Sequence, residues 1–122
     1  MDEKKILIIE DEMIHGMFLK AVMEECGHSV IDLVSKGEDA IRKAIECEPD
    51  LIISDILLKD SMTGVDVINQ VRKDKKIPFI FITALNDNRL MEKAKLANPL
   101  KIFNKPYEID SLTDEINNLF CK

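Results

Sequence analysis

The chain is expected to fold as an α/β domain of the doubly wound class, with five parallel strands in one sheet and a helix after each strand. Three observations predict this. Five short apolar runs, rich in β-branched or aromatic residues, recur along the sequence. The strongest do not alternate with polar residues, the pattern of strands covered on both faces. With Ile6, Val30, Ile52, Ile80 and Ile102 as markers, the runs are spaced by 24, 22, 28 and 22 residues, room each time for one crossover helix and its loops. At 122 residues the chain has the length of one domain, and residues 1–122 are read as a single unit.

The elements follow in order. Ile6-Leu7-Ile8-Ile9 is the first strand, and Ile14, Phe18, Ala21, Val22 and Cys26 form the expected buried face of the helix after it. Val30 to Val34 is the second strand. Ala40, Ile41, Ala44 and Ile45 mark the second helix, whose start Ser35-Lys36-Gly37-Glu38 has capping-box spacing. Leu51-Ile52-Ile53 is the third strand, with Val67, Ile68 and Val71 on the third helix. Phe79-Ile80-Phe81-Ile82 is the fourth, with Leu90, Met91, Ala94 and Ala97 on its helix. The weaker Ile102-Phe103 is the fifth, followed by Leu112, Ile116, Leu119 and Phe120. The methionines Met13, Met17, Met23, Met62 and Met91 read as core filler or loop contacts.

Composition removes several functional classes. Asp and Glu number 23 against 17 Lys and Arg, for a net charge of −6, which argues against phosphate-driven nucleic-acid binding. Cys26, Cys47 and Cys121 are odd in number and have no C-x-x-C spacing, so neither a disulfide scaffold nor a zinc site is expected. The amino-terminal apolar run is too short for a signal peptide or a membrane span, and a cytoplasmic location is expected. Neither glycine-rich nucleotide-binding motif occurs.

In an open parallel sheet, ligands bind where the loops leave the carboxyl ends of the strands. Those ends deliver Glu10, Asp11 and Glu12 after the first strand, Asp55 after the third, Thr83 after the fourth, and Asn104-Lys105-Pro106 after the fifth. Glu10, Asp11 and Asp55 against Lys105 leave two negative charges, which one divalent cation would neutralise. Oxygen ligands without a calcium loop favour Mg²⁺. Asp55 can then act as a nucleophile towards phosphorus, with Lys105 drawing charge from the phosphoryl oxygens and Thr83 hydrogen-bonding them. His15 and His28 read as surface or packing residues.

At these positions the sequence closely resembles the response-regulator receiver family of two-component signalling. The resemblance runs through Ile8-Ile9-Glu10-Asp11-Glu12, Pro49-Asp50-Leu51-Ile52-Ile53-Ser54-Asp55, Thr83-Ala84 and Lys105-Pro106, in order and at βα-unit spacing. It implies a flavodoxin-like sheet of order 2-1-3-4-5 and a cis bond before Pro106. It also implies that Asp55 takes a phosphoryl group from a phosphohistidine of a sensor histidine kinase or phosphotransfer protein. Asp11, Asp55 and the backbone carbonyl of Leu57 would hold Mg²⁺, with Glu10 contacting it directly or through water. Lys105 would pair with the phosphate, and Thr83 would be the switch hydroxyl. The output would be a contact with a downstream protein through the face of the fourth helix, fifth strand and fifth helix, made by a monomer or weak dimer. The chain would be a signalling receiver that promotes its own phosphorylation and dephosphorylation rather than an enzyme.

Three positions depart from the commonest family pattern. Glu10 replaces an Asp, Gly64 falls nine residues after Asp55 in a longer loop, and Ile102 stands where the family carries an aromatic switch residue. The resemblance also implies that Leu57 and Leu85, two residues after Asp55 and Thr83, flank the path of the attacking water; two apolar residues there predict restricted water access and slow self-dephosphorylation. Two other readings compete: a Mg²⁺-dependent phosphatase or nuclease, disfavoured because Asp55-Ile56-Leu57 lacks the second acid of a D-x-D nucleophile motif, and a pseudo-receiver without phosphate dependence. No effector segment is expected after the last helix, leaving open a stand-alone receiver or part of a longer regulator or hybrid kinase.

Overall fold

A computed structural model describes residues 3–58, 60–84 and 86–120. Leu85, invoked above for water access, and Cys121 lie outside the described residues. Strands β1 (Lys5–Ile9), β2 (Ser29–Val34), β3 (Leu51–Ser54), β4 (Phe79–Thr83) and β5 (Lys101–Asn104) alternate with helices α1 (Met13–Glu25), α2 (Gly37–Cys47), α3 (Gly64–Val71), α4 (Asn88–Leu96) and α5 (Ile109–Phe120). All strand pairs are parallel, in the order β2-β1-β3-β4-β5. The order reverses between β1 and β3, so the carboxyl ends of these two strands flank the crevice where such folds bind ligands.

Alternate residues of the central strands feed two cores. Leu7, Ile9, Ile52, Phe79 and Phe81 pack with Ala40, Ala44, Val67, Ile68, Val71 and Ala94 of α2, α3 and α4. Ile6, Ile8, Leu51, Ile53, Ile80 and Ile82 pack on the other face with Leu19, Val22 and Met23 of α1 and Leu112 and Ile116 of α5. Each fully buried aliphatic side chain contributes about 1.5–3 kcal/mol, so both faces of β1, β3 and β4 anchor the loops at their ends.

Two local expectations are corrected. The buried face of α1 is Gly16, Leu19, Val22 and Met23, whereas Ile14, Phe18 and Ala21 are exposed. Gly16 sets this rotation: a Cβ there would lie 2.6 Å from Leu33 Cδ1, so the bare backbone lets α1 settle on β2 at that point. Met13 and Met17 consequently face outward and are not core filler. The second correction is at α2. Its N-cap is Lys36 and has no side-chain cap, which puts Ser35 one residue too early for a capping box. Instead the Asp60 carboxylate, carried in by the long loop after β3, accepts from the Glu38 N–H at 3.4 Å. The capping box lies at α3, where Thr63 Oγ1 accepts from Asp66 N–H and Asp66 Oδ2 accepts from Thr63 N–H, at 3.1 and 3.0 Å.

Candidate functional site

Three connections converge at the carboxyl edge of the sheet. β1 ends at Ile9, and the next residue, Glu10, is tied to β2 by its N–H donating to Val34 O at 2.9 Å. β3 ends at Ser54, and Asp55 is tied to β1 through its N–H donating to Ile9 O at 2.8 Å. β5 delivers Lys105, whose N–H donates to Thr83 O at 2.9 Å and whose bond to Pro106 is cis. Asp11, Glu12, Asp55, Leu57, Thr83, Ala84 and Lys105 line a depression of about 210 Å³.

The side chains in it are held by charge. Lys105 Nζ donates to Glu12 Oε1 at 2.7 Å, to Asp55 Oδ2 at 3.1 Å and to Glu10 Oε1 at 3.2 Å. Asp55 Oδ1 accepts from the Ile56 N–H at 2.6 Å, so its two oxygens have different partners: backbone for one, ammonium for the other. Glu10 is almost fully buried, and its Oε1 also accepts from the Glu12 N–H at 3.2 Å. Carboxylate oxygens of Glu10, Asp11 and Asp55 lie within 4.8 Å of one another. This all-oxygen, net-negative donor set fits a hard divalent cation, so the residues present suit Mg²⁺. Thr83 is buried at the end of β4. Leu57 is half exposed at the mouth.

The two buried carboxylates are pushed in opposite directions. Burial and the charge of Glu10 raise the Asp55 carboxyl above its ordinary value, against the opposing pull of Lys105. Burial also acts to raise Glu10, but His15 and Lys105 together bring it below its ordinary value. Burial works against the charged form of Lys105, yet Glu12 and Asp55 hold it above its ordinary value.

These directions predict opposite substitutions. An acid with a raised folded pKa binds more protons folded than unfolded, so stability falls as pH rises from 3.8 through the folded value of Asp55. Asp55→Asn is therefore expected to raise the melting temperature in metal-free buffer at pH 7, with the gain shrinking as pH falls towards 4. Glu10 contributes stability above 4.5 that is lost as pH falls through its lowered folded value. Glu10→Gln should therefore lower the melting temperature at pH 7. Thermal melts of both variants in chelator check the two signs, and equal signs would contradict this electrostatic account.

Two further residues beside the pocket are not among the site residues expected from the sequence. His15 Nδ1 lies 3.2 Å from Glu10 Oε2, and its Nε2 is 2.7 Å from the Tyr107 hydroxyl. His15 thus packs at the pocket wall, the packing alternative expected for it. The signal was positional: His15 sits in the first turn of α1, Tyr107 directly follows Pro106, and α1 and α5 share one face of the sheet.

Comparison with known proteins agrees with this architecture. Residues 6–117 match the response regulator receiver domain. The phyllosphere-induced regulator PhyR of Methylorubrum extorquens is 37 % identical over 105 residues, 85 % of this chain and 39 % of that protein. The chemotaxis protein CheY of Thermotoga maritima is 26 % identical, covering 95 % of this chain and 97 % of CheY. Among solved structures, the signal receiver domain of a modulated diguanylate cyclase from Desulfovibrio desulfuricans superimposes with a TM-score of 0.89 at 31 % identity, covering 96 % and 93 % of the two chains. The chain spans 39 % to 55 % of the length of PhyR and of the Mycobacterium tuberculosis regulator PdtaR. It belongs to the response regulator receiver domain family of two-component signalling.

Proposed function

We propose that residues 1–122 act as a single Mg²⁺-dependent phosphoacceptor domain, with Asp55 receiving a phosphoryl group from a phosphohistidine of a sensor histidine kinase or phosphotransfer protein. The observation that carries this reading is the placement of Asp55 Oδ2 beside Lys105 Nζ, next to the carboxylates of Glu10 and Asp11. The Ile56 amide holds Oδ1 and so turns Oδ2 towards an incoming phosphorus. Oδ2 forms the new O–P bond while the P–N bond breaks and its electron pair returns to the imidazole nitrogen. Lys105 leaves its carboxylate partners to pair with the phosphoryl oxygens, and Thr83 donates its hydroxyl to one of them. Glu10, Asp11, Asp55 and the Leu57 carbonyl would hold Mg²⁺, which when bound neutralises charge on the phosphoryl group. The raised carboxyl of Asp55 fits this role, because an anion held at a cost gains most by bonding to an electrophile.

The phosphodonor's docking surface is assigned to α1. Met13, Ile14, Met17 and Phe18 are 57, 87, 60 and 46 % exposed, a continuous apolar stripe that begins directly after the pocket residues Asp11 and Glu12. Solvated apolar groups grouped in this way mark interaction sites. Ile14→Glu is expected to slow transfer from a phosphohistidine protein by about tenfold or more, as a central interface residue does, and to leave uptake from a small phosphodonor unchanged. Equal rates from the protein donor would remove α1 from the interface. We place the output surface on α4, β5 and α5, with Leu96 exposed at the end of α4 and Leu100 exposed just before β5. No helix among the described residues is long and apolar enough to cross a membrane, and the cytoplasm is the proposed location. Incubation with Mg²⁺ and acetyl phosphate, followed by intact-mass measurement, tests the reading: one phosphoryl group should add to the parent and none to Asp55→Asn, and uptake should fail in chelator. An unchanged parent mass would overturn it.

A further inference from the structure

The family's aromatic switch position is occupied here by Ile102, which is partly buried against the core and has no hydroxyl to report on the pocket. The sole tyrosine of the chain lies elsewhere, at Tyr107. It follows the cis Lys105-Pro106 bond, stacks edge-on against His15 with ring centroids 5.7 Å apart, and packs against Phe103 of β5. Its hydroxyl is 2.7 Å from His15 Nε2.

We propose that His15 and Tyr107 are positioning residues that hold the Glu10 carboxylate and carry the state of the Asp55 pocket to the β5–α5 connection, the role Ile102 cannot fill. This rests on the phosphoacceptor reading above. The geometry gives the chain a direction. In the tautomer with its proton on Nδ1, His15 faces Glu10 as a donor and Nε2 accepts from the Tyr107 O–H. Burial raises the Tyr107 hydroxyl to about 12, so it remains a donor at neutral pH.

The contact of His15 with Glu10 is incomplete. His15 Nδ1 is buried and 3.2 Å from Glu10 Oε2, yet makes no well-angled hydrogen bond. Meanwhile Glu10 shares the Lys105 ammonium with Glu12 and Asp55. A phosphoryl group on Asp55 brings close to two negative charges and draws Lys105 to itself. Glu10 then loses its share of the ammonium; Oε1 keeps the Glu12 N–H and faces the metal-holding carboxylates, and His15 is the side chain beside Oε2 that can close on it. Closing that contact turns the imidazole, and the ring's other nitrogen carries Tyr107 with it. The longer side chain of Glu10 suits this arrangement: one carboxylate meets Lys105 through both oxygens, at 3.2 Å to Oε1 and 3.5 Å to Oε2, and meets His15 through Oε2.

Tyrosine emission tests the relay directly, because the chain has one tyrosine and no tryptophan. On incubation with Mg²⁺ and acetyl phosphate, Tyr107 emission in the parent should change in step with the mass of the added phosphoryl group. In His15→Leu the change per added phosphoryl group should be lost. A second measurement covers the case in which His15→Leu does not fold: in Tyr107→Phe, the His15 ring ¹⁵N signal of Nε2 should shift away from that of the parent before phosphorylation. Added mass with an unchanged Tyr107 emission would overturn the relay and leave the phosphoacceptor reading intact. So would an emission change that survives in His15→Leu, or an unmoved Nε2 signal in Tyr107→Phe. No added mass would overturn both.

Discussion

Replacing Lys105 with methionine is expected to cost about 3 kcal/mol of folding stability in chelator, and millimolar Mg²⁺ should return much of it. The side chains of Glu10 and Asp55 are 1 and 8 % exposed, and both face the same ammonium. Removing that ammonium leaves two buried carboxylates facing each other, and breaking a buried ion pair from one side costs about 3–5 kcal/mol. Water reaching the Lys105 side, where the lysine side chain is 16 % exposed, puts the effect at the lower end. The third partner, Glu12, is 65 % exposed, and its pair adds little. A divalent cation that binds only the folded pocket would stabilise it by mass action. Urea denaturation in chelator and in Mg²⁺ measures both effects. A variant as stable as the parent in chelator would show that the carboxylates do not depend on Lys105.

The second large effect is expected at Gly64. Its N–H donates to Ile56 O at 2.7 Å, which folds the long loop back onto the segment carrying Asp55. A Cβ at this position would collide with the carbonyl oxygen of Asp55 and lie 2.9 Å from Ser54 Oγ. The colliding atom belongs to backbone that is pinned to β1 through Asp55 N–H and Ile9 O, so it has no rotamer by which to move away. Gly64→Ala should therefore destabilise by about 2–3 kcal/mol, the upper part of the range for overpacking. It should also slow phosphoryl uptake, since any shift of Asp55 takes Oδ2 off its line with Lys105. Denaturation and intact-mass kinetics on one preparation test the pair of effects. Lost stability with unchanged uptake would mean that the loop relaxes away from the acceptor.

The sheet was legible because β1, β3 and β4 are unbroken apolar runs at crossover spacing, and only burial on both faces calls for that pattern. The pocket residues were legible for a topological reason: wherever such a sheet forms, Glu10, Asp11, Asp55, Thr83 and Lys105 leave its carboxyl edge together. The α1 face was legible only at Val22. Eight of its thirteen residues are apolar, so hydrophobicity wraps the helix, and a glycine, which carries no hydropathy signal, chose the side that packs. The cap of α2 was hidden for a related reason: the group that reaches its amino end, Asp60, lies 22 residues away from Glu38. The contact of His15 with Tyr107 spans 92 residues and follows from the placement of α1 and α5 on one face, which local periodicity does not encode.

Locating the phosphoryl group tests directly whether Asp55 is the acceptor. After incubation with Mg²⁺ and acetyl phosphate, borohydride reduction converts an aspartyl phosphate to homoserine, which peptide mass spectrometry assigns to a position. A single reduced site is expected, at Asp55, absent when Mg²⁺ is chelated. Reduction at Asp11, at Glu12 or at a carboxylate outside the pocket, with Asp55 unmodified, would contradict that role.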